Sequence, residues 1–196
     1  MIFIRHGETA YNASGRLQGQ RDIALNDKGR AQAFAVGGLL KARCFDEVDA
    51  LDKAGQFYCS PLVRVRETLE LARDALGLNP LRYTIAPDLL EISFGQWEGL
   101  LWDDVERANP GASLHRGQDK WDFVPPGGES YAMLATRVTP WLQAQDGDRF
   151  VAAHGGVARA FLTLIVGMDP SVAANYEIRQ GAALVFDNNA FSWIDV

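Results

Sequence analysis

Three short apolar runs in this chain end on polar residues and pass directly into a glycine or proline that opens a helical segment. They are Ile2-Phe3-Ile4 into Arg5-His6-Gly7, Phe57-Tyr58-Cys59 into Ser60-Pro61, and Phe150-Val151-Ala152-Ala153 into His154-Gly155-Gly156. Strands that hand over at once to helices belong to an open parallel α/β sheet. Ligands of such sheets bind beyond the carboxyl ends of the strands, where helix N-termini present free N–H groups to anions. The junctions collect two of the three histidines, His6 and His154, with Arg5 and, in the first turn of the second helix, Arg64. Two imidazoles and two guanidiniums around helix starts suit a compact dianion such as a phosphate.

Between these junctions the pattern alternates strand and helix. Asn26 is an N-cap for a helix over 26–42, in which Ala31, Phe34, Ala35, Leu39 and Leu40 recur at helical spacing. Ser60 and Pro61 read as N-cap and first residue of a helix that carries Leu62, Leu69, Ala72 and Leu76 and stops at Gly77. Residues 81–86 predict an edge strand. Residues 87–101 form a loop with Glu91, Phe94, Gly95, Trp97, Glu98 and Gly99, and 102–128 read as short helices capping the sheet. A helix over about 130–145 tolerates Pro140, and a helix over 157–166 ends at Gly167. Two last strands, 182–187 and 190–196, are joined by an Asn188-Asn189 hairpin turn. The expected fold is a three-layer α/β/α sandwich whose central sheet is mostly parallel, with an antiparallel edge strand. It forms one domain over residues 1–196, with a cap insertion at about 87–130.

The bulk properties remove some partners. A net charge of −6 over 196 residues argues against nucleic acid, which demands clustered Lys and Arg over a wide surface. A small phosphorylated metabolite needs only a local positive pocket. The most apolar stretch, Val157–Met168, is too short for a bilayer and carries Arg159, so no membrane partner is expected. Neither Cys44 nor Cys59 shows CxxC spacing, and the chain opens on Met1-Ile2-Phe3 with no export signal. A reduced, cytoplasmic protein follows, with a homodimer compatible. Asp103, Asp104 and Asp119 lack metal-ligand spacing with any histidine, so no metal or cofactor is expected.

A lone His6 would read as a buried, hydrogen-bonded core histidine. Its neighbour Arg5 counts against that, because burying a guanidinium without an anion is costly, and the repeat at His154 adds to it. A neutral imidazole can attack phosphorus while arginines hold the phosphate oxygens. A carboxyl must then protonate the leaving alkoxide and deprotonate the incoming water. Glu8, two residues from His6, competes for that role with a plain helix-capping one. Glu67 on the Arg64 helix reads as a solvated face, with Arg66 its neutralising neighbour. His115 reads as a surface residue. Trp97, Trp102, Trp121 and Phe123 divide between packing and substrate contact.

Arg5-His6-Gly7-Glu8-Thr9, followed by Asn12, Arg16, Gln18-Gly19 and Asp22, is similar to the signature of the histidine phosphatase superfamily, also called the phosphoglycerate mutase-like family. The resemblance covers essentially the whole chain. Ser60-Pro61-Leu62-Val63-Arg64 matches the family's phosphate-arginine element, Leu90–Gly99 the segment bearing its proton donor, and His154-Gly155-Gly156 its second histidine. The resemblance implies a catalytic set of His6 as nucleophile, Glu91 as acid, Arg5, Arg64 and His154. It implies substrate binding by Arg5, Asn12, Gln18, Gly19, Arg64, His154 and Gly155, with no metal in the phosphoryl step.

The reaction implied is phosphomonoester hydrolysis. Pro126-Gly127-Gly128-Glu129-Ser130 and the chain length resemble the α-ribazole phosphatase and broad-specificity branches. The alternative is a cofactor-dependent phosphoglycerate mutase, against which stands the expectation that such mutases are longer. A phosphate-binding protein without turnover is the third reading. The run before Arg5 is also unusually short, and fraying at a sheet edge would loosen His6.

Overall fold

The computed structural model describes residues 1–187 and 189–195. Six strands among them form one sheet: β1 (Ile2–Arg5), β2 (Phe57–Cys59), β3 (Thr84–Ile85), β4 (Phe150–Ala153), β5 (Ala183–Asp187) and β6 (Ala190–Ile194), in the order β3-β2-β4-β1-β5-β6. β1 to β4 pair in parallel, while β5 runs antiparallel to β1 and β6 antiparallel to β5. The predicted sandwich, mostly parallel with an antiparallel edge, is the fold observed. Asn189 adopts the left-handed backbone expected of the hairpin, at φ 60°. Its partner in that predicted turn, Asn188, lies outside the described residues.

Strand periodicity divides the core. Successive side chains of a strand point to opposite faces. Ile2, Ile4, Phe57, Cys59, Phe150 and Ala152 accordingly pack on one side against α2 (Asp27–Lys53) and α3 (Val63–Leu76). Phe3, Val151, Ala153 and Leu184 pack on the other against α6 (Tyr131–Gln143), α7 (Gly155–Val166) and α8 (Pro170–Asn175). The remaining helices are short: α1 (Ala10–Ala13), α4 (Trp102–Ala108) and α5 (Ala112–Gln118). β1 is short but not at the edge, because β4 and β5 flank it on both sides. The expected edge fraying has no place there.

Several boundaries differ from expectation. The helix predicted to end at 42 continues to Lys53, with its helical geometry broken at Cys44. No glycine or proline in 43–53 signals that break. The continuation is anchored by Asp52, which pairs at 2.5 Å with the fully buried Arg73 of α3, whose guanidinium also lies 4.3 Å from the Phe57 ring centre. The predicted edge strand 81–86 contracts to Thr84–Ile85. α3 begins at Val63 rather than Pro61, and α7 begins two residues before the predicted Val157. α8 was not anticipated. Asn26 and Ser130 do cap their helices, accepting from Gly29 N and Met133 N at 2.8 and 3.1 Å.

Two adjacent glycines of α2 meet different surroundings. A Cβ on Gly37 would stand 2.3 Å from the carbonyl oxygen of Ala72 in α3, whereas Gly38 faces open space. Helix propensity alone predicts a gain of about 1 kcal/mol for Gly→Ala at either position. Gly38→Ala should raise the thermal midpoint, and Gly37→Ala should lower it by wedging α2 from α3. Equal shifts in a melting comparison would refute this packing.

Candidate active site

Sheet register assembles the site. Arg5 pairs with Ala153 and Cys59 with Ala152, so His6, Ser60 and His154 leave three adjacent strands at nearly one level. Two of them keep their amides tied to the sheet, His6 N to Ala153 O and Ser60 N to Ala152 O, both at 3.0 Å. The two imidazoles come to 5.3 Å between ring centres, edge to face. His6 Nδ1 lies 2.8 Å from the carbonyl oxygen of Gly7, which can only accept. Nδ1 therefore carries the hydrogen and Nε2 keeps the lone pair. Gly7 is required at this point because a Cβ would lie 2.3 Å from Gly29 O at the start of α2.

Ser60 has a different task from the one expected. It does not cap α3. Its hydroxyl lies 2.8 Å from Nε2 of His154, and α3 is instead capped from a distance by Asp22, whose Oδ1 accepts from Val63 N at 2.7 Å. An N-cap signal and a hydrogen-bonding partner for a histidine look alike in sequence.

The arginines are held by carbonyls rather than by carboxylates. Arg64 is fully buried and donates to Gly19 O and Arg21 O, both at 2.7 Å, which fixes the 18–22 loop. Arg5 donates to Ile178 O at 2.7 Å. Neither makes an ion pair among the described residues. Burial lowers the pKa of both, Arg64 to about 10, with the field of Glu91 opposing it. Arg5 Nε, Arg64 Nε and His154 Nδ1 are buried without any hydrogen-bond partner. Burial also holds both histidines well below 6.5, reinforced by Arg5 and Arg64. They are neutral at pH 7.

Glu91 is brought to the same place. Its Oε1 accepts from Ile92 N at 2.9 Å and from Gly156 N at 3.0 Å, at the start of α7. A Cβ on Gly156 would fall 2.2 Å from that oxygen, so the second glycine of His154-Gly155-Gly156 makes room for the carboxylate. Arg137 braces the segment by donating to Leu90 O, Glu91 O and Glu129. The Pro126–Ser130 stretch fastens it further through Gln96 N to Pro126 O and Glu129 N to Ser93 O.

A cavity of about 160 Å³ is lined by Arg5, His6, Arg64 and Glu91, together with Asn12, Gln18, Gly19 and Gly155. His154 is fully buried and lies off the cavity wall, against His6. Gln18 accepts from the Thr9 hydroxyl, and Asn12 accepts from Gln180. The sequence reading missed Tyr131 and Arg159, which also line this cavity. A signal for Arg159 was present, since it is the one charge in the otherwise apolar Val157–Met168 stretch.

Other candidates fall away. Glu8 accepts from Lys28 at 2.8 Å and Asn26 at 3.0 Å, bonds that lower its pKa and keep it ionised. Glu67 is neutralised by Arg30 at 3.2 Å, not by Arg66. Glu98 binds Gln20 N, Phe94 N and Ser93, locking the 18–21 loop to the Glu91 segment. Trp97 is buried in a small cluster with Leu17, Val105 and Ala112, while Trp121 stacks on Tyr131. His115 is exposed. No cluster of three or more His, Cys, Asp or Glu that could hold a metal occurs among the described residues, and no helix is long and apolar enough to cross a membrane.

Comparison with known proteins places the chain in a family. A family model described as histidine phosphatase superfamily (branch 1) matches residues 1–193. A 2,3-bisphosphoglycerate-dependent phosphoglycerate mutase of Mesorhizobium japonicum is 30% identical, the match covering 99% of this chain and 94% of the mutase. The match leaves only a small part of this mutase uncovered, so the length argument against a mutase does not hold for it. The structure of a mycobacterial glucosyl-3-phosphoglycerate phosphatase aligns with a TM-score of 0.76 and 26% identity over 94% of this chain and 87% of its own. An Escherichia coli protein proposed to be an alpha-ribazole-5'-P phosphatase gives 0.76 and 25% identity over 98% and 92%.

The neutral, buried histidines make stability depend on pH. Unfolded, each titrates near 6.5; folded, each refuses the proton. The stability they contribute is therefore complete above about pH 7 and lost as pH falls below 6.5, by up to about 1.4 kcal/mol per pH unit per histidine. Urea unfolding between about pH 7.5 and 5.5 should show this slope, and His154→Gln should roughly halve it. A flat profile would contradict the assigned protonation states.

Proposed function

Given that this chain belongs to branch 1 of the histidine phosphatase superfamily, we propose that it is a phosphomonoesterase acting on a small phosphorylated metabolite through a phosphohistidine at His6. The observation that carries this reading is three unspent buried nitrogens, Arg5 Nε and Arg64 Nε on side chains that share a cavity with His6, and His154 Nδ1 on the ring packed against it, beside an imidazole whose Nε2 is free to attack. Buried cations without carboxylate partners are costly, and a phosphate dianion offsets that cost while accepting their hydrogen bonds.

The His6 Nε2 lone pair attacks phosphorus and the bond to the leaving oxygen breaks. Glu91 supplies the proton that this oxygen takes. Its Oε1 accepts from Ile92 N and Gly156 N, and its Oε2 lies 3.3 Å from the same Gly156 amide, so the backbone fixes the carboxyl in place. Water then attacks the phosphohistidine and gives a proton to the Glu91 carboxylate. Scission of the P–N bond releases inorganic phosphate and regenerates neutral His6. Arg5, Arg64 and His154 hold the three equatorial oxygens, where phosphoryl transfer takes most of its acceleration from positioning and charge neutralisation. The phosphatase among the similar structures supports hydrolysis.

A second reading has its own support. Relatives 30% identical over nearly the full length are phosphoglycerate mutases, in which the phosphoryl group would pass to another substrate oxygen. The first half of the chemistry is common to both.

His6→Ala should lower turnover about 10³-fold or more and abolish the phosphoenzyme trapped by quenching; normal turnover would exclude covalent catalysis at His6. Glu91→Gln should slow alkyl phosphates about 10²-fold or more, yet p-nitrophenyl phosphate less than about tenfold, since that leaving group needs little protonation. Equal losses would assign Glu91 a positioning role. Incubation with 3-phosphoglycerate and 2,3-bisphosphoglycerate should release inorganic phosphate, whereas accumulation of 2-phosphoglycerate would establish the mutase.

A further inference from the structure

A neutral imidazole carries its hydrogen on the nitrogen that finds an acceptor. For His6 that acceptor is the carbonyl oxygen of Gly7, 2.8 Å from Nδ1, so the aim of one carbonyl decides whether Nε2 keeps its lone pair. Gly7 O belongs to the peptide joining Gly7 to Glu8, a planar trans unit whose N–H points opposite to its C=O. At the other end of this unit, Glu8 N donates to the side-chain amide oxygen of Gln32 in α2 at 2.8 Å. A backbone N–H can only donate, which settles which atom of the Gln32 amide faces it. One peptide thus links Gln32 to His6. A peptide whose N–H is taken also offers a more polarised carbonyl at its far end.

Helix geometry gives Gln32 its reach. Side chains of a helix tilt toward its N-terminus and overlie the residue three positions earlier, here Gly29. A Cβ on Gly29 would lie 2.0 Å from Glu8 O and 2.7 Å from Glu8 N, so the chain at Glu8 crosses bare helix backbone beside Gln32. From the other side, Gly181 rests on the Gln32 stem, where an added Cβ would stand 3.4 Å from Cγ. The preceding peptide is held separately, Gly7 N donating to the buried hydroxyl of Thr68 in α3 at 3.0 Å. Gln32 itself does not line the cavity that His6 and Arg64 share.

We propose that Gln32 is a positioning residue for the nucleophile: through the Gly7–Glu8 peptide it holds His6 in the tautomer whose Nε2 can attack. As Nε2 bonds to phosphorus, positive charge grows on the ring and strengthens the same Nδ1–H bond to Gly7 O. The hold therefore acts on the chemical step more than on binding. Its catalytic consequence rests on His6 being the attacking group, whereas the tautomer is read without any reaction.

Long-range proton–nitrogen correlation spectra of protein labelled with ¹⁵N at its three histidines report which ring nitrogen bears the hydrogen. Replacing His115 and His154 in turn assigns the signals. Near neutral pH the wild type should show His6 with its hydrogen on Nδ1. Gln32→Met and Gln32→Ala remove the acceptor from a half-buried position, and circular dichroism establishes that each is folded. Either should bring the Nε2–H form of His6 to roughly a fifth or more, the scale of one lost hydrogen bond. Gln32→Glu keeps an acceptor and should keep the wild-type tautomer. With p-nitrophenyl phosphate, kcat should fall about threefold to tenfold in Gln32→Met and recover to within about twofold in Gln32→Glu, while inorganic phosphate inhibits all three proteins alike. An unchanged His6 tautomer in the two acceptor-free variants, or the same mixture in Gln32→Glu, would overturn the proposal whatever happens to turnover. If the wild type hydrolyses no phosphomonoester while the tautomers shift as expected, the phosphohistidine reading fails and the hold of Gln32 on the ring is upheld.

Discussion

The pairing of β1 with β4, in parallel and with β2 on the far side of β4, is the constraint from which the rest of the site follows. Parallel strands in register finish at one level, so the residues that follow them are neighbours whatever their separation in sequence. That is how His6 and His154 come within 5.3 Å of each other across 148 residues of chain. Alternation along β1 then sends Ile2 and Ile4 to the α2–α3 side and Phe3 to the α6–α7 side. The sheet end is a rigid edge on which polar groups can be placed without movement of the core.

Rigidity matters because the site is electrostatically unfavourable when empty. Arg5 and Arg64 are buried cations answered only by carbonyl oxygens. Each carbonyl belongs to a segment that must itself stay in place. Arg64 fixes the 18–22 loop, Glu98 locks that loop to the Glu91 segment, and Arg137 and Glu129 brace the segment from behind. Glycines remove the side chains that would prevent these approaches, at Gly7 against α2 and at Gly156 against Glu91. On the proposed function, the fold bears the repulsion of its own cations so that an arriving dianion would meet donors already aimed, with little reorganisation left for the chemical step.

Junction residues were legible in the sequence because strand-to-helix handovers are local patterns. His6, Arg5, Arg64, Glu91 and His154 were named from these junctions and from the family resemblance. Features that depend on distant partners were not legible. Ser60 carries a capping residue's signature but spends its hydroxyl on His154, while the cap comes from Asp22, thirty-eight residues earlier in number than the serine it replaces. Glu67 finds Arg30 on another helix rather than Arg66 beside it. α2 outruns its apolar pattern because Asp52 pairs with a buried arginine of α3. In each case a side chain's partner comes from a segment distant in sequence, which local spacing does not encode.

The placing of the catalytic groups on the sheet also bears on why so similar a framework serves both phosphatases and mutases. Up to the phosphohistidine the two reactions need the same atoms, and those atoms sit on sheet ends and glycine turns where little can vary. They diverge only in what attacks next: water, or a second oxygen of a substrate still in place. On the proposed function, that choice falls to the side of the site away from the sheet, where Phe94, Trp102, Arg116, Lys120 and Tyr131 line a cavity. All but Tyr131 lie in the strandless stretch between β3 and α6, whose short helices can change sequence without disturbing the sheet. A grip on the alcohol half that outlasts P–O cleavage favours return of the phosphoryl group, and a weak one favours escape and hydrolysis.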